Sequence, residues 1–240
     1  MLNYEIKARY TEYINELINK FGFGPVLNNP DSKACRWSWE HESEMHDAGY
    51  TVCSGYCRMV IFHEDWDYVI KFTYNEEAEM AYCANEEFLY GKAVEWGIEE
   101  CFAGVYFLGE FDNTDIYLVE RCNCDEDKMY SDSYDYQFRN FCRDRGYSVE
   151  NANDDIYEEF QDECDCDWSG QEGMMELAAS LWGRELADKV YDFLNYFGVN
   201  DCHSANWGYL DTQLVIIDYA GYGEGAKKIA DRRLGGLEGR

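Results

Sequence analysis

The chain has 240 residues and is strongly acidic, with 49 Asp and Glu residues against 20 Lys and Arg and a formal net charge of −29. Hydrophobic residues make up 46% of the sequence and aromatic residues 17%, which excludes an intrinsically disordered chain. The charge argues against direct binding to nucleic acids, because such binding needs basic surfaces that displace counterions from phosphates. It leaves three interpretations open: solubility, a cationic substrate or partner, and mimicry of a nucleic-acid backbone.

Neither export nor membrane insertion is expected from the sequence. No apolar run approaches the ~20 residues of a membrane-spanning helix, and residues 1–7 lack the apolar core of a signal peptide. We therefore expect a cytoplasmic protein whose 11 Cys residues are reduced, since their number is odd and no export signal is present. Zinc on two C-x-C pairs is an alternative, with the thiols of Cys122, Cys124, Cys164 and Cys166 as ligands.

Apolar periodicity predicts the elements of the first half of the chain. In chain order they are an amphipathic helix at 1–21, a polar loop with a short helix at 26–50, a hairpin at 50–73 with its turn at 65–67, a helix at 76–97, and strands at 104–109 and 115–120. Strands and helices together predict a protein of the α+β class.

The segment 122–173 differs in composition from the rest of the chain. Between Asp125 and Glu172, sixteen acidic residues stand against four basic ones, for a local net charge of about −12. Aromatic residues are interleaved with these charges, which a disordered acidic tract would lack. We therefore predict an ordered or partly ordered helical insertion, which is either a solvated cover or an element that binds a partner.

The most informative stretch follows a predicted helix at 174–197. Asp201 precedes Asn206 in a short loop, and Asp218 ends the apolar run 214–217, which predicts a strand. This spacing suits phosphoryl transfer from a metal-bound nucleotide: the first Asp orients an acceptor hydroxyl, while Asn and the second Asp hold the metal. Loop capping by Asp201 and Asn206, with a turn at Asp218, is the structural alternative.

A second set of candidate residues lies in the first half of the chain. Lys71 sits inside the predicted strand, where burial of an unpaired ammonium would be costly, so it needs an acidic partner. A helical stretch about fifteen residues further on offers Glu86 and Glu87. Upstream, Gly55 lies in a short loop whose backbone N–H groups could approach phosphate closely. Taken alone, Lys71 could instead extend to solvent, and Glu86 could be a solvated helix charge.

Together these residues resemble the protein-kinase-like superfamily, most closely its aminoglycoside and small-molecule phosphotransferases and the small kinase-like proteins of bacteria and phages. The resemblance rests on the pattern D-x-H-x-x-N from Asp201 to Asn206 and on Asp218 after a Val-Ile-Ile strand. It covers somewhat over half of the chain. Two departures are visible, since Val199 stands where the family often has His and Asp-Tyr-Ala-Gly replaces Asp-Phe-Gly.

The resemblance implies a two-lobed fold that binds ATP and Mg²⁺. Glu86 is preferred over Glu87 as the partner of Lys71, because kinase-like phage proteins have Tyr four residues after this Glu, and here that residue is Tyr90. In the implied nucleotide site, Lys71 binds the α and β phosphates, Gly55 allows the phosphates to approach the backbone, and the backbone near Glu120 and Arg121 contacts the adenine. In the implied catalytic loop, Asp201 orients the acceptor hydroxyl, and Asn206 and Asp218 bind the metal.

Four divisions of the chain are expected. They are an amino-terminal extension at 1–49, an amino-terminal lobe at 50–121, the acidic insertion at 122–173 and a minimal carboxy-terminal lobe at 174–240. The last division is shorter than the family's usual lobe, so we expect no activation segment and no peptide-docking platform.

Two functions stay open at this point. The first is a kinase-like phosphotransferase that uses Mg-ATP on an unidentified acceptor, for which a cationic small molecule is one candidate; the sequence does not separate phosphate transfer from nucleotide transfer. The second is a catalytically dispensable kinase-like scaffold, encoded by a phage or mobile element and acting in the host cytoplasm. It would bind a basic protein surface as an acidic, nucleic-acid-mimicking inhibitor of a host defence or CRISPR-type nuclease.

Overall fold

Helices, a five-stranded antiparallel sheet and a two-stranded hairpin make up the described part of the protein, which confirms the α+β class. The computed structural model describes residues 2–21, 43–54, 58–73, 82–111, 114–163 and 170–235. Gly55, Cys164 and Cys166 therefore lie outside the described residues. Among the helices within these stretches, none is both long enough and apolar enough to cross a membrane.

A five-stranded sheet forms the first part of the protein. Its strands are β1 (Tyr50–Ser54), β2 (Arg58–His63), β3 (Tyr68–Thr73), β4 (Val105–Phe111) and β5 (Thr114–Glu120). They lie in the order β1-β2-β3-β5-β4, and every neighbouring pair is antiparallel. The hairpin predicted at 50–73 is present with a third strand, β1, added to it, and both later strands are confirmed.

One face of the sheet packs against α1 (Tyr4–Phe21), which confirms the predicted amphipathic helix. Side chains alternate across a strand, so Met59 and Ile61 of β2 and Ile70 and Phe72 of β3 point to the same face. All four are buried there. The buried residues of α1 that meet this face are Tyr10, Ile14, Leu17 and Phe21.

The opposite face of the sheet contacts the helix that follows β3 and the main apolar core. Val60, Lys71 and Tyr117 lie side by side on neighbouring strands and share this face. It packs against α2 (Tyr82–Trp96) and joins the largest apolar core. The described part of the helix predicted at 76–97 therefore begins at Tyr82, and residues 76–81 lie outside the described residues.

The acidic insertion is helical where the structure describes it. It contains α3 (Glu126–Arg145) and α4 (Asp154–Glu163). Asp125 caps the start of α3 by accepting the backbone N–H of Lys128 at 3.0 Å. Both helices contribute to a separate small core, formed by Phe138, Phe141, Cys142 and Phe160. The interleaved aromatic residues thus supply most of this small core.

The single helix predicted at 174–197 is wrong, because two helices occupy this range. They are α5 (Gln171–Trp182) and α6 (Arg184–Phe197), and Gly183 between them has φ +89°. A side chain is strongly disfavoured in this conformation, so the glycine permits the break. Trp182 then donates its indole N–H to the carbonyl of Leu214 at 3.0 Å, which ties the end of α5 to the following hairpin.

The remaining elements surround the loop that carries Asp201. The strands β6 (Trp207–Leu210) and β7 (Gln213–Ile216) form a two-stranded antiparallel hairpin. The last described helix, α7 (Glu224–Gly235), packs against α2, where Tyr82 and Ala226 share a buried cluster with Ala220.

Candidate functional site

Lys71 and Glu86 form a buried ion pair between β3 and α2. Lys71 Nζ lies 2.8 Å from Glu86 Oε1, and the side chains are 6% and 0% exposed. Glu87 points elsewhere and accepts the backbone N–H of Phe107 at 3.0 Å. The sequence-based preference for Glu86 as the partner of Lys71 therefore agrees with the geometry.

Arg58 is a member of the site that the sequence analysis did not identify. Its Nη1 lies 3.0 Å from Glu86 Oε1 and also contacts Oδ1 of Asp218. Arg58 lies two residues before Val60, which is paired with Lys71 across the strands, so both cations share one face of the sheet. The alternation of β2 could have indicated this position from the sequence. Met59 and Ile61 are the apolar residues of one face, so Arg58 must lie on the other face with Lys71.

Asp218 reaches the same cluster from the end of β7. Its Oδ2 lies 3.9 Å from Lys71 Nζ, and its side chain is 25% exposed. The next residue, Tyr219, is fully buried and donates its hydroxyl to the carbonyl of Ala103 at 2.8 Å, which anchors the chain just after the carboxylate. Two cations and two carboxylates from four elements thus meet in one place.

Burial and charge act differently on the two carboxyl groups. Burial raises the pKa of Glu86 to about 7, although Lys71 and Arg58 both act to lower it. Burial also opposes the ionisation of Asp218, but the charges of Lys71 and Arg58 outweigh it and hold its pKa well below the ordinary range. The charges of Lys71 and Arg58 therefore favour the anionic form of Asp218, whereas burial favours the protonated form of Glu86.

One oxygen of this cluster lacks a hydrogen-bond partner. Within the described residues, Glu86 Oε2 is buried and meets no donor. A buried acceptor left unpaired is unfavourable by roughly 1–3 kcal/mol. Native proteins rarely leave such a group without a reason.

The loop from Asp201 to Asn206 is tied to the strand that precedes Asp218. Asn206 is buried, and its amide nitrogen donates to the carbonyl of Asp201. The backbone carbonyl of Asn206 accepts the N–H of Ile217 at 2.9 Å. His203 accepts the N–H of Ala205 at 3.3 Å through Nδ1 and so caps the short 3₁₀ turn of this loop.

The carboxylate of Asp201 lies outside the ion pairs of the cluster. Within the described residues its ion-pair contact is with His203 Nε2, at 3.6 Å, and the Asp201 side chain is 38% exposed. Cys202 next to it is buried, and burial, followed by the charges of Asp201 and Asp218, raises the pKa of its thiol. Both carboxylates therefore lie near the same buried thiol.

Glu120 and Arg121 lie at the end of β5. The N–H of Glu120 donates to the carbonyl of Gly104 at 3.0 Å, and the N–H of Arg121 donates to the carbonyl of Asp67 at 3.0 Å. The carboxylate of Glu120 accepts the N–H of Gly104 at 2.8 Å. The backbone N–H groups of both residues thus already donate to carbonyls of the protein. A ligand at this place would contact the backbone carbonyl oxygens of Glu120 and Arg121 instead.

Asn206 and Asp218 are suited to a hard cation. The amide nitrogen of Asn206 is used by the carbonyl of Asp201, which leaves Oδ1 of Asn206 without a donor in the described stretches. Oxygen ligands of this kind suit Mg²⁺, which usually takes one or two carboxylates and completes its shell with water and phosphate. In the same stretches no group of three or more His, Cys, Asp or Glu side chains could hold a metal.

No known protein family, curated protein or solved structure matches this chain.

Proposed function

We propose that this protein is a kinase-like phosphotransferase that binds ATP with Mg²⁺. The observation that carries the proposal is the convergence of Lys71, Glu86 and Asp218, which come from three distant segments of the chain. The site also adjoins a five-stranded antiparallel sheet whose Lys strand packs against a Glu helix, which is the arrangement that the family resemblance predicts.

Each residue has a role in this proposal. Lys71 holds the α and β phosphates, and Glu86 keeps its ammonium in place. Asn206 and Asp218 hold the metal, which neutralises charge on the phosphates when it is bound. Asp201 orients the acceptor hydroxyl from its partly exposed position on the loop. Binding of phosphates near Gly55 and of adenine near Glu120 and Arg121 belongs to the same proposal.

The ion-pair cluster supports a chemical role better than a stabilising one. Burial of an ion pair costs several kcal/mol of desolvation per ion, and replacement by apolar residues is often neutral or stabilising. This chain keeps two cations and two carboxylates together and leaves a buried oxygen unpaired. We infer that the desolvation cost is borne for a reason other than folding stability. Phosphate binding is such a reason, since catalysis of phosphoryl transfer relies mainly on positioned charges.

A thermal-unfolding experiment with Mg-ATP tests the proposal. A ligand at 100-fold its Kd adds about 2.7 kcal/mol to the stability of the folded state. We expect Mg-ATP to raise the melting temperature of the wild type and not of Asp218→Asn. Asp211→Asn is the matched control, because it makes the same chemical change in the nearby β6–β7 turn, where the φ of +54° suits Asn as well as Asp. An equal response of wild type and Asp218→Asn contradicts the proposal.

Turnover with two labels distinguishes the transferred group. ATP labelled at the γ phosphate or at the α phosphate is incubated with a panel of acceptors, including polyamine-like aminoglycosides and neutral polyols. We expect γ label on the acceptor and no transfer by Asp201→Asn or Asp218→Asn. Transfer of the α label assigns nucleotide transfer instead. Preference for cationic acceptors would connect the net charge of −29 to substrate choice.

A second candidate function is inhibition of a basic partner protein by acidic mimicry. The specific observation is that α3 and α4 form their own small core, while most of the acidic side chains described on these helices are exposed. Asp155, Glu158 and Asp162 of α4 are examples of such exposed acids. This surface would bind a basic groove and would not need Lys71.

Inhibition of a purified RNA-guided DNA nuclease tests this second function. We expect inhibition at about 0.1 M salt that is lost at about 0.5 M, because screening at that strength is severe. Lys71→Ala should inhibit as well as the wild type. Neutralisation of Asp155, Glu158 and Asp162 should abolish inhibition. The matched control neutralises three exposed acids of α1 instead: Glu5, Glu12 and Glu16. Inhibition that is insensitive to salt, or no inhibition at all, removes this candidate for that class of nuclease.

A further inference from the structure

Arg58 occupies the oxygen of Asp218 that a metal would need. Its Nη1 contacts Oδ1 of Asp218 and Oε1 of Glu86 at the same time. The other oxygen of Asp218 faces Lys71 Nζ at 3.9 Å. Each oxygen of Asp218 therefore faces a cation, and a metal ion cannot bind there beside the guanidinium without strong repulsion.

With Glu86 ionised, the cluster is electrically balanced. Lys71 and Arg58 supply two positive charges, and Glu86 and Asp218 supply two negative ones. A divalent cation added alone would leave an excess of positive charge in a largely buried place, which is unfavourable. A metal bound to polyphosphate brings anionic oxygens of its own, and these oxygens can pair with a cation that the metal displaces.

Of the two cations, Arg58 is the one more accessible to a ligand from solvent. Its side chain is 16% exposed, whereas that of Lys71 is 6% exposed. The guanidinium group also lies 5.3 Å from the centre of the Tyr82 ring, so part of its contact is with an aromatic face. A guanidinium group binds phosphate oxygens through two parallel hydrogen bonds, which a lysine ammonium cannot do.

We propose that Arg58 is an exchangeable phosphate-binding cation, which neutralises Asp218 without ligand and pairs with phosphate oxygens when a metal–polyphosphate complex takes Asp218. The inference rests on the proposed function and adds a residue to its site. It makes metal binding conditional on polyphosphate. A bare divalent cation, which this acidic protein would otherwise attract, is thereby kept from Asp218.

Titration with Mn²⁺ alone tests the first half of the inference. Free Mn²⁺ is followed by its electron paramagnetic resonance, in about 0.15 M salt and at about pH 8, above the pKa of Glu86. Removal of a charge-assisted contact corresponds to about tenfold or more in affinity, so we expect Arg58→Gln to bind Mn²⁺ at least that much more tightly than the wild type. Arg143→Gln is the matched control, because it removes the same charge from an exposed side chain of α3.

A double variant assigns the gained site. Arg58→Gln combined with Asp218→Asn should lose the gain in Mn²⁺ affinity, because the freed carboxylate is then absent. No gain in Arg58→Gln, or a gain that survives Asp218→Asn, overturns the inference.

Titration with Mg-ATP tests the second half. We expect Arg58→Gln to bind Mg-ATP about tenfold or more weakly than the wild type, opposite in sign to its effect on Mn²⁺ alone. Arg58→Lys keeps the charge without the paired hydrogen bonds, so its affinities for Mn²⁺ and for Mg-ATP should lie between those of the wild type and Arg58→Gln. It also replaces Arg58→Gln in both titrations if that variant does not fold. Unchanged Mg-ATP affinity in Arg58→Gln overturns the phosphate-binding role.

The two proposals fail in different ways. A wild type that binds no Mg-ATP removes the proposed function together with the phosphate-binding role of Arg58. The Mn²⁺ titration still decides by itself whether Arg58 guards Asp218, because it uses no nucleotide.

Discussion

Arg233 donates Nε to Oδ1 of Asn85 at 3.1 Å and so joins the last described helix, α7, to the helix that carries Glu86. The amide nitrogen of Asn85 completes the link by donating to the carbonyl of Ala226 at 3.1 Å. Asn85 is fully buried beside Glu86, so both ends of its side chain hold α2 against α7. The position of Glu86 in the site therefore depends on a helix that is distant in sequence.

Loss of this link should affect both stability and ligand binding. Asn85→Ala leaves a buried carbonyl and Arg233 without their partner, so we expect the free energy of unfolding to fall by about 1–3 kcal/mol. Binding of Mg-ATP should weaken as well, because Glu86 is less well held. Denaturant unfolding and calorimetry measure the two effects. Asn195→Ala, on the exposed face of α6, is the control and should change neither. Unaltered stability of Asn85→Ala would show that α7 does not hold α2.

Two glycines should respond to alanine in opposite directions. Gly183 has φ +89° between α5 and α6, so Gly183→Ala introduces strain of about 1–3 kcal/mol and lowers the melting temperature. Gly91 lies inside α2 with no atom within 4 Å of an added Cβ. Gly91→Ala should therefore stabilise the protein by about 0.5–1 kcal/mol. Thermal unfolding of both variants checks the signs, and a stabilised Gly183→Ala would contradict the break between the helices.

The Lys71–Glu86 pair should prove dispensable for folding when both members are removed together. Lys71→Met leaves the buried Glu86 with Arg58 alone and should lower the free energy of unfolding by about 3 kcal/mol or more. Lys71→Met combined with Glu86→Leu should recover most of that loss, because the second change removes the uncompensated charge. Denaturant unfolding at about pH 8, above the pKa of Glu86 in the wild type, measures both.

The same double variant separates stability from function. We expect it to fold and to show no stabilisation by Mg-ATP. A double variant as unstable as Lys71→Met alone would show that the pair is needed for folding, and one that still binds Mg-ATP would count against the role of Lys71.

Stability should depend on pH through Glu86 in a specific window. Burial raises its pKa in the folded state from the ordinary value of 4.5 to about 7, so the folded protein holds this proton more tightly than the unfolded chain. The resulting contribution to stability is complete below about pH 4.5 and is lost as the pH rises to about 7. Glu86→Gln does not titrate, so the stability of the wild type relative to this variant should fall across that window and then level off.

Glu87→Gln is the control for that measurement, since Glu87 is only partly buried and lies outside the cluster. This variant keeps Glu86, so it should lose stability across the same window as the wild type does. A difference between wild type and Glu86→Gln that does not vary with pH would contradict the raised pKa.

The elements that the sequence predicted well are those whose pattern is local. The amphipathic stripe of α1 and the alternation of β2 and β3 are set by neighbouring residues, and so are visible without tertiary structure. The need of Lys71 for an acidic partner was also accessible, since a buried ammonium is costly, whereas the preference for Glu86 over Glu87 came from the family resemblance. The break at Gly183 was missed because the apolar stripe continues through it.

Local pattern by itself thus predicted the α+β class and most strands and helices. Together with the family resemblance it singled out Lys71, Glu86, Asn206 and Asp218 as residues with suitable chemistry. It could not show that Arg58 contacts Glu86 and Asp218 together, or that α7 holds α2 through Asn85. Those contacts join residues 28 to 160 positions apart. Only packing decides them, because burial sets which charges lie within contact distance and which carboxyl group keeps its proton.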